Sequence, residues 1–186
     1  MGLQINDTAL ADVKLILPER LPDDRGYFME TFRAERYQGL PGQTAPFVQD
    51  NLTRSAKNVL RGLHFQYPNG QGKLLQVVQG SIYDVTVDVR SNSATFGQWQ
   101  AIALDDAQPQ QLWIPPGYAH GFLVLSEHAL VQYKCTAYYD PKGEACLLWS
   151  DPNLGIEWPC EAPLLSEKDQ HGNTLKALRE SGRCPP

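Results

Sequence analysis

The sequence predicts a mainly β protein, a sandwich or barrel of many short strands with only short peripheral helices. Apolar residues alternate at a strand period in a series of brief stretches. The junctions between them hold the Gly, Pro, Asn and Asp that tight turns need. No segment before residue 160 offers a long amphipathic helix.

The elements follow in order. Strand patterns occur in "VKLILP" (13–18), "GYFMETF" (26–32), the long "LLQVVQGSIYDVTVDVR" (74–90), "QWQAIAL" (98–104), "QQLWIP" (110–115), "GFLVLS" (121–126), "ALVQYKCTAYY" (129–139) and "ACLLWS" (145–150). "YPNGQGK", "SNSATFGQ", "DDAQPQ" and "IPPGYAHG" read as turns. The short helical candidates are "RAERYQG" (33–39) and the tail "NTLKALRES" (173–181), which Asn173 is placed to cap. The final "RCPP" is expected to fray.

The 186 residues fit one domain over 1–186, long enough to bury a core. Fifteen glycines, fourteen prolines, eight tyrosines and four tryptophans favour strands and turns over helices. The N-terminus lacks the basic start and apolar stretch of a secretory signal, and nothing approaches the roughly 18 apolar residues of a membrane span. A cytoplasmic protein with no membrane partner is expected. The four cysteines show no C-x-x-C spacing, so reduced thiols are expected. A net charge of −5 argues against a nucleic-acid partner. Basic residues instead recur beside glycine or aromatics, as in "DDRGYF", "VLRGLHF" and "GQGKLLQ", which suits a small anionic ligand, with scattered solvated charges as the alternative.

"NVLRGLHFQYP" (58–68) places Arg61 and His64 in a strand-like run. Three apart, they cannot share a face of a regular strand, so either one of them is simply solvated or the strand bulges at Gly62 and turns both toward something polar. With "PPGYAHGF", which fits P-x-G-x-x-H at Pro115, Gly117 and His120, this stretch has the layout of the two halves of a cupin-type jelly roll. A metal cupin would also place a histidine two residues after His64 and a glutamate beyond it. Gln66, Tyr67, Pro68, Asn69 and Gly70 stand there, a poor divalent set, so no metal is expected.

"DDRGYFMETF", "FVQDN", "VLRGLHFQ", "DVTVDVRSNSATFGQW", "IPPGYAHGFLVLS", "YKCTAYY" and "LSEKD", in this order, resemble the dTDP-4-dehydrorhamnose 3,5-epimerase family from about Asp23 to Asp169. Thr53 and Ala94 depart from the expected serine and proline. The resemblance implies a cofactor-free cupin homodimer acting on a dTDP-sugar. It would convert dTDP-4-dehydro-6-deoxy-D-glucose to dTDP-4-dehydro-L-rhamnose, in dTDP-L-rhamnose biosynthesis.

That chemistry removes protons α to a ketone, so it needs a base, a group to hold the enolate oxygen and an acid on the opposite face. His64 is the natural base, since a neutral imidazole is available near pH 7. The resemblance supplies Asp169 as its carboxylate partner, and the motif context makes Lys73 the oxyanion holder and Tyr133 the acid. Tyr133, Cys135 and Ala137 would share a strand face that Tyr139 continues, which makes Tyr139 the aromatic for the thymine ring. Arg25, Arg61 and Lys168 match the family's contacts to the nucleotide sugar. Glu30, Gln49, Asn51 and Glu144 would hydrogen-bond base, ribose and sugar. His120 is read as a substrate contact, with Asp84 behind the histidines. Asp50 points the other way on this reading. Three alternatives stay open: a mono-epimerase, a metal-dependent cupin using His64 and His120, and a non-catalytic sugar-nucleotide binder.

Overall fold

The structure, a computed structural model, describes residues 2–186. The chain begins with β1 (Leu3–Asp7) and β2 (Lys14–Pro18), then a ribbon of β3 (Arg20–Asp23) and β4 (Gly26–Met29) and a 3-10 turn at Ala34–Arg36. The body follows: β5 (Gln49–Ala56), β6 (Leu60–Gln66), β7 (Lys73–Gln79), β8 (Ser81–Asp88), β9 (Trp99–Asp105), β10 (Gln111–Ile114), β11 (Tyr118–Val124), β12 (His128–Cys135) and β13 (Glu144–Cys146). Two short helices, α1 (Glu167–Gln170) and α2 (Leu175–Glu180), lie near the end.

A six-stranded sheet, β1-β2-β10-β7-β12-β5, faces a five-stranded sheet, β13-β6-β11-β8-β9, with all named pairs antiparallel. This is the mainly β, cupin-type architecture expected. From β5 on, every consecutive pair of strands except β8–β9 crosses between the sheets, and the two inner faces interdigitate as one core of Leu75, Val77, Ile82, Leu104, Phe122, Val124 and Val131. Among the described residues no helix is long and apolar enough to cross a membrane.

The five-stranded sheet is buried on its outer face too, where Leu63, Phe65, Val85 and Val87 pack beneath Leu175, Leu178 and Cys184 of the C-terminal segment. Every residue of β11 is therefore buried, which explains a continuous apolar "GFLV" where a half-exposed strand would alternate. The same packing corrects the expectation of a frayed tail. Cys184 is buried, and Ser91 donates its amide and its hydroxyl to the Pro185 carbonyl at 2.7 and 2.9 Å.

Other local expectations also need correction. Thr174, not Asn173, caps α2, its hydroxyl accepting from the Ala177 amide at 3.2 Å. Asn173 is engaged as backbone, accepting from Leu148 and donating to Cys146, and that contact also cuts the strand expected over 145–150 down to β13. β12 ends at Cys135 rather than running to Tyr139 because glutamine side chains take the next backbone groups. Gln71 donates to the Ala137 carbonyl, and Gln66 donates to the Tyr138 carbonyl and accepts from the Asp140 amide.

Candidate active site

The site starts with a bulge. On β11, His120 pairs with His64 and Phe122 with Arg61, so Gly62 and Leu63 of β6 together face the single Gly121. Gly62 has φ +123°, and a Cβ there would lie 2.6 Å from the Gly121 Cα and 2.8 Å from the His120 carbonyl oxygen. Only glycine fits that close approach. Beyond the bulge, Arg61 and His64 both line one cleft of about 410 Å³ between the sheets.

The five-stranded sheet contributes His64, His120 and Glu144 to this cleft, and the six-stranded sheet contributes Gln49, Asn51, Lys73, Tyr133 and Cys135. Tyr139 and Lys168 complete the rim and Asp169 the wall behind His64. Asp50 points away and pairs with Lys134 at 2.8 Å.

Asp169 accepts a hydrogen bond from His64 Nε2 at 2.6 Å, across 105 positions of sequence. α1 makes this possible: Ser166 caps it and accepts from the Asp169 amide at 3.2 Å. Burial alone would raise the Asp169 carboxyl, but the His64 hydrogen bond and charge, the Ser166 cap and Lys168 outweigh it and hold the group below the ordinary carboxylate value. Asp169 is therefore an anion at neutral pH, able to stabilise an imidazolium.

Asp84 lies behind His120 rather than behind both histidines, with its Oδ2 2.7 Å from His120 Nε2. It is 1 % exposed, and burial pushes its carboxyl up against the opposing pull of His120 and Lys73. Its neighbour on the same face, Asp88, belongs to a separate network around Arg90. Both cleft histidines thus give Nε2 to a carboxylate, and Gln66, where a metal cupin would have a ligand, spends its amide on the Asn69 and Tyr138 carbonyls and the Asp140 amide.

Lys73 opens β7 after Gly72, which packs so tightly on Trp113 that a Cβ would sit 2.4 Å from the indole. The ammonium donates to the His64 carbonyl at 3.3 Å. Burial pushes its pKa down, with Cys135, Asp84 and Glu144 opposing. Tyr133, on the neighbouring strand β12 of the same sheet, is pushed up, chiefly by burial, with Arg61 and Lys168 opposing, so the phenol keeps its proton at neutral pH.

Tyr139 lies beyond the end of β12, on a loop, where it is about half exposed. Its hydroxyl donates to Glu144 at 3.1 Å, and Glu144 also pairs with Lys168 at 2.8 Å. Arg61 donates to Ser55 at 2.8 Å, which orients the guanidinium at the cleft's edge. Gln49 and Asn51 are bonded to each other at 3.0 Å.

Arg25 and Glu30 are not brought to the cleft within this chain. Arg25 sits at the exposed tip of the β3–β4 ribbon paired with Asp23, and Glu30 follows β4 paired with Arg36 at 3.1 Å. The ribbon pairs with neither main sheet, so nothing in the strand order carries it to the cleft. Conversely, Ser166, Gln66, Gln71 and Thr53 line the cleft without having been singled out as site residues. The S-x-x-D spacing of "SEKD" was the available signal for Ser166.

A protein-family profile described as dTDP-4-dehydrorhamnose 3,5-epimerase matches residues 7–177. The dTDP-4-dehydrorhamnose 3,5-epimerase of Pseudomonas aeruginosa is 48% identical over 168 residues, covering 90% of this chain and 93% of that protein. That of Neisseria gonorrhoeae is 52% identical over 96% of this chain, which spans only 55% of that longer relative. The crystal structure of dTDP-6-deoxy-D-glucose-3,5-epimerase from Legionella pneumophila Philadelphia 1, in complex with dTDP-4-keto-L-rhamnose, superposes with a TM-score of 0.94 at 46% identity, covering 99% of this chain and 98% of that one.

Proposed function

The chain belongs to the dTDP-4-dehydrorhamnose 3,5-epimerase family, and from that premise we propose that it epimerises dTDP-4-dehydro-6-deoxy-D-glucose at carbons 3 and 5, giving dTDP-4-dehydro-L-rhamnose for dTDP-L-rhamnose biosynthesis. One observation carries this reading: the imidazole and the phenol line one cleft from opposite sheets. Inversion at carbon needs that separation, because the proton must leave one face of the ring and return to the other.

In the proposed step His64 accepts the α-proton on Nδ1, its Nε2 being held by Asp169. The buried carboxylate compensates the imidazolium as it forms. Charge moves to the ketone oxygen, where the Lys73 ammonium holds it. Burial disfavours that ammonium in the free protein, so an approaching enolate stabilises the cation as the cation stabilises the enolate, most strongly in a dry site. Tyr133, kept protonated, delivers a proton to the far face. Because carbons 3 and 5 flank one ketone, one such set serves both.

Arg61 and Lys168 suit the diphosphate, Gln49, Asn51 and Glu144 the polar edges of base, ribose and sugar, Tyr139 the thymine face, and His120, fixed by Asp84, a sugar hydroxyl. We also propose a homodimer. Arg25 and Glu30 match the family's substrate contacts yet stand on a ribbon with exposed Leu21, Tyr27 and Phe28, and the outer face of the six-stranded sheet exposes Leu52 and Val78. Apolar residues on a protruding ribbon and on a sheet face favour burial against a second copy.

The test is incubation with the dTDP-4-keto sugar in heavy water. Deuterium at both carbon 3 and carbon 5 is expected, and exchange at neither would overturn the reading. Exchange at one carbon alone would identify a mono-epimerase.

A further inference from the structure

Cys146 packs against the His64–Asp169 pair and is left unused by the proposed chemistry. Pairing of β13 with β6 sets Cys146 directly opposite His64. Asp169 Oδ1 lies 2.6 Å from His64 Nε2 and 3.8 Å from Cys146 Sγ, and the three potential ligand atoms all fall within 4.8 Å of one another. We propose that His64, Cys146 and Asp169 form an inhibitory site for a thiophilic divalent cation of the Zn²⁺ class, which enters where the His64–Asp169 hydrogen bond now lies.

The donor set is an imidazole nitrogen, a sulfur and a carboxylate oxygen, the ligands zinc takes at about 2.0–2.3 Å. A tetrahedron with bonds of that length has edges of roughly 3.3–3.8 Å. The Cys146–Asp169 separation already has this value, the His64–Asp169 separation needs to lengthen by about 1 Å, and the His64–Cys146 separation is no more than 4.8 Å. His64 and Asp169 line the cleft, which gives an ion a route to the site. This site is distinct from the His64 and His120 pair of a metal cupin, since His120 is committed to Asp84.

The proton balance is explicit. Burial beside Asp169 and Glu144, against the pull of Lys168, keeps the Cys146 thiol protonated, its pKa pushed up to about 12. Coordination therefore releases the thiol proton to solvent, and the proton on His64 Nε2 shifts to Nδ1. The two negative ligands then neutralise the dication, and one proton leaves per metal bound. The inhibitory consequence rests on the proposed role of His64: with Nδ1 protonated and Nε2 on the metal, the imidazole can accept nothing. Metal binding itself does not depend on that role.

The experiment uses the chelator-treated full chain titrated with CoCl₂, then ZnCl₂. One equivalent of Co²⁺ should raise a thiolate-to-cobalt charge-transfer absorption that Zn²⁺ abolishes, with about one proton released. In Cys146→Ser the absorption should be lost and Zn²⁺ binding weakened at least about 100-fold, more than loss of a group behind a ligand costs. Epimerisation by chelated Cys146→Ser should match the parent and persist at Zn²⁺ concentrations that stop the parent, with Cys146→Ala as a second variant. Absence of the band in the parent, its survival in both variants, or equal Zn²⁺ inhibition of parent and variants would each overturn the proposal. The cobalt band is read without substrate, so failure of the epimerase reading would be seen separately.

Discussion

At His64 a single hydrogen bond decides which nitrogen is free, and Asp169 is built to make it. Asp169→Asn keeps the size of the side chain but removes the charge that compensates an imidazolium, so kcat should fall by about 10²–10⁴ with little change in KM. Steady-state kinetics on the dTDP-4-keto sugar check this. Tyr133→Phe offers a sharper test, because it removes the proposed proton donor on one face and leaves the proposed base on the other. His64 should still abstract a proton, exchange it with solvent and return it to the face it came from. Proton NMR in heavy water should then show deuterium entering the substrate without inversion, whereas inversion at the parent's rate would remove Tyr133 from the mechanism. These residues differ in how far sequence alone reaches them. Arg61 and His64 stand out because a polar pair three apart in an apolar strand demands an explanation. Asp169 has no local signal tying it to His64 from 105 positions away, and only the family pattern joins them.

Among the elements, the bulge of β6 fixes where both polar side chains point. Gly62→Ala would set a Cβ against the Gly121 backbone in a conformation L-residues avoid. The variant should lose more than about 2 kcal/mol in urea unfolding, and activity should fall with it because the same distortion moves His64 and His120. After β8, the Arg90 guanidinium grips Asp88 through Nε and Nη2 at 3.0 and 2.7 Å, joined by Ser93 and Thr95. Burial raises the Asp88 carboxyl, but Arg90, Thr95 and Ser93 lower it further, so it ends below the ordinary carboxylate range. The stability this confers is complete above the unfolded pKa of about 4 and is lost as pH falls through the depressed native value. Asp88→Asn should therefore cost on the order of 3 kcal/mol at pH 7, a gap that denaturation at falling pH should see close below about pH 4. Strand existence was legible from alternation and turn residues where one face is apolar, β7 to β10 most clearly, but β1, β3 and the largely polar β5 gave no such signal. Strand ends were not: β12 stops where Gln66 and Gln71, distant in sequence, claim its next carbonyls, and no period of apolar residues records that.

For the whole molecule, the remaining mismatch is between sequence pattern and place. Arg25 and Glu30 belong by pattern to the substrate site, yet within one chain they lie on a ribbon that pairs with neither main sheet. A single sequence reports which residues recur together, not which copy of the chain each serves, so this arrangement was invisible to motif reading. The proposed homodimer, with each ribbon reaching the other subunit's cleft, would resolve it and would give covered surroundings to Tyr27 and Phe28. Complementation distinguishes this from a ribbon that folds back on its own subunit. His64→Ala and Arg25→Ala homodimers should each be nearly inactive. When the two are co-expressed, half of the dimers are mixed, and in each of these one cleft combines an intact His64 with Arg25 of the partner subunit. Activity should return to about a quarter of the parent's. If Arg25 serves its own chain, every cleft in every mixed dimer lacks one of the two residues, and co-expression restores nothing.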